Sequence, residues 1–327
     1  METVFNATAF AKINLDLRIG PKADNGYHSI LSIFQSVSLG DEICLNVLSD
    51  FKNQEAGSGI AIQKDSDILV EGEFDCPPER TTLYKAASIF LRRQGIKTRL
   101  HIKVVKGIPA KAGLGGGSAD AAAILILLNK AFKTGLDTEE LSSIGLSIGS
   151  DVPFFLTGGT AFVHGRGERI EPLPPLGKMG ILLLCPSFGV STDWAYTALD
   201  SYRAKEPRGR YDAPWDMENI EARKLQITEE LKNSPRLWTF QNDFVPLLYN
   251  EYPIYQAIEA LLRSEGAAFI SISGSGSTVF AIFDSLGKAE EVKKSLTIAQ
   301  QADVSQKLLY GMALHAIKPL ETSLRLS

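Results

Sequence analysis

Residues 107–123 read Gly107-Ile108-Pro109-Ala110-Lys111-Ala112-Gly113-Leu114-Gly115-Gly116-Gly117-Ser118-Ala119-Asp120-Ala121-Ala122-Ala123. Before this stretch, apolar Leu100, Ile102 and Val104 alternate with polar residues, which predicts a half-buried strand. After it, the Ala/Leu/Ile run of residues 121–128 predicts a helix with Ser118 as its N-cap. The sequence therefore predicts a strand, a glycine-rich loop and a helix in succession.

The predicted loop has the properties of a phosphate-binding site. Its three consecutive glycines, residues 115–117, can adopt positive φ values and bring the backbone close to a ligand. The helix that follows adds unpaired N–H groups and the positive end of its dipole. Two common phosphate-binding motifs are incomplete here. The Walker A motif ends in Gly-Lys-Ser/Thr, but Gly117 is followed directly by Ser118, and Ser118 also stands where the dinucleotide-binding motif has its third glycine. A flexible connector is the alternative, but the flanking strand and helix favour phosphate binding.

Length and composition predict a globular protein of about two domains. The chain has 327 residues, of which 44% are hydrophobic and 22% charged, so a sizeable core is available. The formal net charge is −4, and no run of like charges indicates a nucleic-acid or membrane surface. The three cysteines and four histidines are scattered, which argues against disulfides and a metal cluster. Since signal-peptide features and a membrane-spanning apolar run are both missing, we expect a cytoplasmic protein.

The first half of the chain is predicted to be rich in strands. We expect a strand over residues 7–19, a turn at Leu39-Gly40-Asp41, a strand over residues 43–47 and a polar surface loop over residues 49–59. The segment Glu171-Pro172-Leu173-Pro174-Pro175 is the most linker-like in the chain. We therefore place the boundary there, between an N-terminal domain of residues 1–172 and a C-terminal domain of residues 173–327.

The second half is predicted to alternate strands and helices. We expect helices over residues 254–263 and 289–296, and strands over residues 181–185, 268–273, 279–283 and 309–315. Residues 203–235 are rich in charge and proline, and no function is predicted for them.

Four other places carry residues that could take part in chemistry. Lys12 and Asn14 share one face of the first predicted strand, where the lysine either reaches to solvent or meets a phosphate or hydroxyl group. Asp151, flanked by apolar residues, either caps a turn or acts as a general base. Tyr27 and His28 either begin an exposed strand or contact a ligand. The run Ser273-Gly274-Ser275-Gly276-Ser277 forms either a plain turn or a second phosphate loop. Composition and spacing alone do not connect these places.

In the same order, these places resemble the motifs of the GHMP kinases, the superfamily of galactokinase, homoserine kinase, mevalonate kinase and phosphomevalonate kinase. Ala11-Lys12-Ile13-Asn14-Leu15 resembles the first motif, residues 109–119 the second and Ser273-Gly274-Ser275-Gly276 the third. The resemblance covers nearly the whole chain. Two further segments identify a subgroup within the superfamily: Asp24-Asn25-Gly26-Tyr27-His28 and Ser150-Asp151-Val152-Pro153-Phe154-Phe155. They resemble the members that phosphorylate the 2-hydroxyl of 4-diphosphocytidyl-2-C-methyl-D-erythritol, on the methylerythritol phosphate route to isoprenoid precursors.

The resemblance implies an α+β kinase of two domains with its active site between them. The N-terminal domain would resemble ribosomal protein S5 and carry the ATP-binding and catalytic residues, and the C-terminal domain would be ferredoxin-like. ATP and Mg²⁺ are the implied cofactors, and the sequence does not identify the Mg²⁺ ligands. The implied partner is a small-molecule cytidine diphosphate alcohol, with no nucleic acid and no membrane. A monomer and a homodimer both remain open.

The resemblance also implies roles for individual residues. Asp151 would take the proton from, or orient, the 2-hydroxyl, while Lys12 would hold Asp151 ionised and stabilise the charge that develops during transfer. His28 would read the edge of the cytosine base. The second motif would wrap the ATP phosphates with Pro109, Ala110, Lys111, Ala112, Gly113, Leu114, Gly115, Gly116, Gly117, Ser118 and Ala119. Substrate contacts would come from Asn14, Tyr27, His28, Phe188, Thr192, Ser273 and Gly274.

The sequence departs from the family pattern at two places, and three alternatives are open. Asn242-Asp243-Phe244-Val245 lacks the usual glutamate at its fourth position, and residues 203–235 form a longer segment than is typical. The alternatives are a related kinase for mevalonate or homoserine, a nucleotide sensor without transferase activity, and a nucleic-acid-binding module. The Tyr27-His28 pair disfavours the first, the presence of Lys12 and Asp151 the second, and the acidic net charge the third.

Overall fold

The structure is a computed structural model that describes residues 2–24, 26–48, 67–205, 217–302 and 308–327. Within these ranges the chain forms two β-sheets with accompanying helices, so the expected α+β fold is confirmed. The polar loop predicted over residues 49–59 lies outside the described residues. None of the helices in the described ranges is long and apolar enough to cross a membrane.

The first sheet is organised around two long strands. Its seven strands in the described residues are β1 (Glu2–Lys22), β2 (His28–Leu48), β3 (Asp67–Glu71), β4 (Arg99–Val105), β5 (Thr160–Gly165), β6 (Arg169–Pro172) and β11 (Leu324–Leu326). Their order is β11-β1-β2-β4-β3, and β5 joins both β2 and β6. Strands β3 and β4 pair in parallel, whereas the other pairs are antiparallel.

Strand β2 is continuous, so the turn predicted at Leu39-Gly40-Asp41 is wrong. The pairing of β2 with β1 shifts register between Phe10/Gly40 and Ala11/Val37. This shift marks a bulge, at which a strand can bend without ending. A Cβ atom on Gly40 would lie 2.9 Å from the carbonyl oxygen of Ala9. Glycine at this position therefore permits a close approach between the strands.

Four helices of the described residues follow β3 and precede β5. They are α1 (Thr82–Gln94), α2 (Gly116–Phe132), α3 (Thr138–Leu146) and α4 (Val152–Thr157). The predicted order of strand, glycine-rich loop and helix is confirmed by β4 and α2. The prediction of Ser118 as N-cap is wrong, because Gly115 occupies that position with a left-handed φ of 73°. Glycine adopts this φ without steric cost, so the chain enters the helix three residues earlier than a serine cap would allow.

The second sheet has the strand order of a ferredoxin-like fold. Its strands β7 (Gly180–Cys185), β8 (Phe269–Ile272), β9 (Val279–Phe283) and β10 (Ala313–Ile317) pair antiparallel in the order β10-β7-β9-β8. The first three lie within one residue of their predicted bounds, while β10 begins later than expected. The accompanying helices in the described residues are α5 (Thr192–Arg203), α6 (Met217–Glu230), α7 (Val245–Glu251), α8 (Ile254–Ser264) and α9 (Leu286–Ala302).

Two carboxylates, those of Asp16 and Asp243, join β1 to the second half of the chain. Asp16 is fully buried and accepts a hydrogen bond of 2.7 Å from the Arg223 guanidinium. Asp243 accepts hydrogen bonds from the Ile19 amide at 2.8 Å and from Arg203 at 2.9 Å. Charge-assisted bonds of this kind are directional and strong, so they fix the position of β1 against the second half.

The segment over residues 203–235 is placed in part. Its helix α6 carries Arg223 and so packs on the first half of the chain, whereas residues 206–216 lie outside the described residues. The domain boundary after Pro172 stays a prediction. Strand β11 returns to the first sheet and pairs with β1, a pairing that no sequence pattern predicted.

Candidate active site

Lys12, Asn14 and Asp151 line one cavity of about 1060 Å³, to which both halves of the chain contribute. Lys12 and Asn14 project from the same face of β1, as their alternation predicted, and Lys12 Nζ donates a 2.6 Å hydrogen bond to Asn14 Oδ1. Asp151 Oδ2 lies 3.5 Å from Lys12 Nζ, within ion-pair distance. The ammonium group also lies 4.5 Å from the centre of the Phe34 ring. The fold thus brings together two charged residues that are far apart in sequence.

The two charged groups differ in burial. The Lys12 side chain is 5% exposed and that of Asp151 is 29% exposed. Burial lowers the pKa of the Lys12 ammonium, and the ion pair with Asp151 opposes this shift. Asp151 stands at the N-cap position of α4 but makes no capping hydrogen bond. The structure therefore does not show the capping role that the sequence left open, and the carboxylate faces the cavity.

The glycine-rich loop is held in place through its carbonyl groups. The Lys12 amide donates to the Leu114 carbonyl at 3.0 Å, and the Ser273 hydroxyl donates to the Gly113 carbonyl at 2.8 Å. The amide of Thr278 donates to the Ala112 carbonyl at 3.2 Å. The amides of Ser118 and Ala119 donate to the Gly115 carbonyl at 3.0 and 2.9 Å, so the N–H groups of Gly116 and Gly117 are the ones that have no acceptor within the helix. The carbonyl groups of the loop therefore hold it in place, while the N–H groups at the start of α2 are available to bind an anion.

A cluster of three charged residues supports both ends of the loop. Asp41 accepts hydrogen bonds from the amides of Gly107 and Ile108 at 2.6 and 2.8 Å. Lys106 Nζ bonds to Asp41 Oδ2 and lies 2.8 Å from Asp120 Oδ2, on the first turns of α2. Asp41 is fully buried and Asp120 nearly so. The cluster therefore ties the start of the loop to the start of the helix.

We expect the stability contributed by Asp120 to depend on pH. Burial raises the pKa of Asp120 to about 7, although Lys106 opposes this shift and Asp41 adds to it. A carboxyl whose pKa is higher in the folded state than in the unfolded state binds more protons when folded, so its contribution is full at low pH and is lost as pH rises toward 7. Asp120→Asn cannot titrate. The free energy of unfolding of this variant, relative to that of the wild type, should therefore rise between about pH 4 and pH 7 and stay level above that, as measured in urea titrations.

The exposed carboxylate of Asp67 provides the control for this prediction. Asp67→Asn should follow the wild type at each pH. Parallel stability curves for Asp120→Asn and the wild type would contradict the proposed titration of the cluster.

The cavity continues from the loop to Tyr27 and His28. Tyr27 is 56% exposed, and the Arg166 guanidinium lies 4.0 Å from the centre of its ring. His28 is buried, and its ring stacks on Tyr196 with a centroid separation of 5.2 Å. Tyr196 in turn meets Phe244 edge-on. The far end of the cavity therefore offers an exposed aromatic face beside a fixed imidazole.

Most of the sequence-predicted site residues line this cavity. Residues 109–118 do so, as do Asn14, Thr192 and Gly274, while Ala119 is buried within α2. Phe188 is not among the lining residues, because its ring stacks on Tyr252 at 5.2 Å. Ser273 is buried, and its hydroxyl is engaged with the loop. Substrate contacts by Phe188 and Ser273 stay predictions, and each would require the side chain to leave its present partner.

Sequence reasoning missed several polar residues of the site. Asp41 lies on β2, far in sequence from the loop that it holds. Tyr196 and Asp200 line the cavity from α5. An acidic residue in a strand or a helix has no local signal for such a contact, so only the folded chain identifies it.

Comparisons with known proteins agree with this geometry. Residues 81–159 match the family model for the GHMP kinases N terminal domain, and residues 218–301 match the model for the GHMP kinases C terminal region. A 4-diphosphocytidyl-2-C-methyl-D-erythritol kinase of Caldicellulosiruptor saccharolyticus is 37% identical over 290 residues, covering 87% of this chain and 91% of the relative. One of Thermodesulfovibrio yellowstonii is 34% identical, covering 88% and 92%.

A solved structure is also similar over almost the full length. The crystal structure of a 4-(cytidine 5'-diphospho)-2C-methyl-D-erythritol kinase superposes with a TM-score of 0.71 at 26% identity, covering 97% of this chain and 99% of that one. The fold and the site thus define a phosphotransferase of the GHMP class, whose members use ATP. Within that class, the chain belongs to the family of the 4-diphosphocytidyl-2-C-methyl-D-erythritol kinases.

Proposed function

We propose that this chain transfers the γ-phosphoryl group of ATP to the 2-hydroxyl of 4-diphosphocytidyl-2-C-methyl-D-erythritol. The products would be ADP and the 2-phosphate, in the synthesis of isoprenoid precursors. One observation supports this most directly: the glycine-rich loop, the Lys12–Asp151 pair and the Tyr27–His28 pair line a single cavity. Its volume, about 1060 Å³, is at the upper end for ligand pockets and suits two substrates side by side.

The proposed chemistry needs a proton acceptor and a cation beside the acceptor hydroxyl. Asp151 would accept the hydroxyl proton as the oxygen forms its bond to the γ-phosphorus and the bond to the β-phosphate oxygen breaks. Lys12 would balance the negative charge that this transfer spreads over the phosphoryl oxygens. Its bond to Asn14 and its contact with Phe34 hold the ammonium in place before substrate arrives. Positioning and electrostatic stabilisation are the main sources of rate in phosphoryl transfer.

We propose that the nucleotide phosphates bind at the start of α2. The N–H groups of Gly116 and Gly117 lie in the first turn, where the helix dipole favours negative charge. Mg²⁺ would arrive with the nucleotide. The described residues contain no group of three or more His, Cys, Asp or Glu side chains that could hold a metal. Phosphate oxygens and water commonly complete such a site, with few protein ligands.

ADP release tests the proposed function. Purified protein with Mg-ATP should release ADP with the cytidine diphosphate alcohol and not with mevalonate or homoserine offered in parallel. Turnover on mevalonate or homoserine instead would overturn the substrate assignment and leave the kinase class intact. ATP binding without turnover on any of the three would move the chain to the class of nucleotide sensors.

A further inference from the structure

Ser32 of β2 contacts two residues of β1 through one buried hydroxyl group. Its Oγ lies 2.5 Å from the Asp16 carbonyl oxygen and 3.0 Å from Asn14 Nδ2. Ser32 is 0% exposed and Asn14 is 2% exposed. The register of β1 against β2 shifts between Asn14 and Asp16, so the hydroxyl lies where the ladder of backbone hydrogen bonds is interrupted.

The partners of this hydroxyl fix the direction of each hydrogen bond. A carbonyl oxygen only accepts, so the Ser32 proton points to Asp16 and only the lone pairs of Oγ remain for Asn14. The group of Asn14 that faces Ser32 must therefore be the amide NH₂, which turns the amide oxygen toward Lys12. Lys12 Nζ donates to that oxygen at 2.6 Å. The hydrogen bonds thus run in one direction, from Lys12 through Asn14 and Ser32 to Asp16.

We infer that Ser32 is a positioning residue for phosphoryl transfer, which fixes the orientation of the Asn14 amide and so keeps a hydrogen-bond acceptor against the Lys12 ammonium. An amide in the opposite orientation would turn its NH₂ group toward the ammonium, so that donors would face each other. An apolar side chain at position 32 would leave the buried Asn14 NH₂ without an acceptor, and this favours rotation of the amide away from Lys12. The inference rests on the proposed function, in which Lys12 balances the charge of the transferring group.

Few charged groups surround the Lys12 ammonium in the described residues. Asp151, at the start of α4, lies within ion-pair distance. Tyr196 of α5 lies near Asp151, and burial together with that carboxylate raises the pKa of its phenol to about 12, so the phenol stays neutral in the assays below. On β1 itself, the carboxylate of Asp16 is paired with an arginine of α6. Strand β2 presents an uncharged aromatic ring. A change in the pKa of Lys12 between variants that differ by one hydroxyl therefore reports on its hydrogen bonding.

Two variants of the same shape test the role of the hydroxyl. Threonine and valine differ at position 32 by one hydroxyl group in place of a methyl group. Because a weakened acceptor favours the neutral amine, the pKa of Lys12 should be lower in Ser32→Val than in Ser32→Thr by roughly 0.5–1 unit. The basic limb of the kcat pH profile should move to lower pH by the same amount, while the Kd for ADP, measured by calorimetry, should be equal in the two variants. Ser32→Ala, which adds no bulk, gives the same comparison against the wild type.

A second measurement follows the pKa of Lys12 without turnover. Burial lowers this pKa in the folded state, so the protonated lysine destabilises the fold, and the cost is lost as pH rises through the range between the folded and unfolded pKa values. The cost is larger in Ser32→Val. The gap in free energy of unfolding between Ser32→Thr and Ser32→Val should therefore narrow from about pH 7 to about pH 10 in urea titrations.

Thr160→Val is the matched control. It also removes a buried hydroxyl, which donates to Gln35 Oε1 at 2.6 Å and does not line the cavity. Its loss of stability should be independent of pH over the same range, and its kcat profile should keep the wild-type shape.

Either of two results would overturn the inference: kcat profiles of Ser32→Thr and Ser32→Val that coincide within about 0.2 unit, or a stability gap that does not change with pH. Failure of the proposed function is a different result. A wild type that does not phosphorylate the alcohol, with a stability gap that narrows as expected, would contradict the kinase assignment and leave the orientation of Asn14 by Ser32 standing.

Discussion

Replacing Asp151 with asparagine is expected to lower kcat by about 10²–10⁴-fold, the usual contribution of a positioned general base. Asparagine keeps the size of the side chain but cannot accept the hydroxyl proton. The carboxylate makes no capping bond to α4 and is partly exposed, so the variant should fold normally. Steady-state ADP release and ATP binding, measured on the same preparation, check the two parts of this prediction.

Substitution of Lys12 tests whether Lys12 and Asp151 act in the same catalytic step. Lys12→Gln removes the cation 3.5 Å from Asp151, and the double variant removes both charges. If the two groups act in one step, the double variant should be about as slow as the slower single variant, because such effects are not additive. A kcat for Asp151→Asn within about tenfold of the wild type would rule out its role as general base and leave it an orienting group.

Gly113→Ala is expected to disrupt the loop rather than the chemistry. Gly113 has a φ of 75°, and a Cβ atom there would lie 2.0 Å from the Ser273 carbonyl oxygen. The neighbouring atoms belong to backbone and cannot rotate away, so the loop or the third motif must move. We expect a loss of at least about 2 kcal/mol in the free energy of unfolding and a rise in the KM for ATP of tenfold or more.

Gly135→Ala supplies a matched control for this prediction. Gly135 has nearly the same φ, 72°, but a Cβ atom would meet no heavy atom within 4 Å. It therefore reports the cost of a left-handed alanine alone, about 1–2 kcal/mol, and should leave the KM for ATP unchanged. If Gly113→Ala is no less stable than Gly135→Ala in urea titrations, the close contact with Ser273 is not what fixes the loop.

The parts of the site that could be predicted from the sequence have local signals. Alternation along β1 placed Lys12 and Asn14 on one face, and the order of strand, glycines and apolar run located the loop and α2. The resemblance to known motifs then joined Lys12 to Asp151. The Ser118 cap was wrong because a local preference for serine was overruled by a glycine able to adopt a left-handed φ.

The parts that could not be predicted depend on contacts between distant residues. The turn expected near Gly40 is a bulge in β2. Whether a glycine marks a turn or a close approach between strands depends on how β2 pairs with β1, and the local sequence does not contain that information. Asp41 and Asp200 have no motif of their own, and their neighbours in sequence differ from their neighbours in space. Long-range polar contacts of this kind follow from the fold and are not encoded in a short pattern.

The pairing of β11 with β1 bears on how the protein is made. Ser323, just before β11, donates to the Phe155 carbonyl in α4 at 2.5 Å, and its own carbonyl accepts from the Phe10 amide at 2.8 Å. During translation, these residues leave the ribosome on the order of 10 s after β6. Until then one edge of β1 is unpaired, and such edges can recruit other chains. The nascent N-terminal half is therefore expected to pass through a period in which α4 packs on α2 and α3 without its hydrogen bond from Ser323, and in which the edge of β1 is open to other chains.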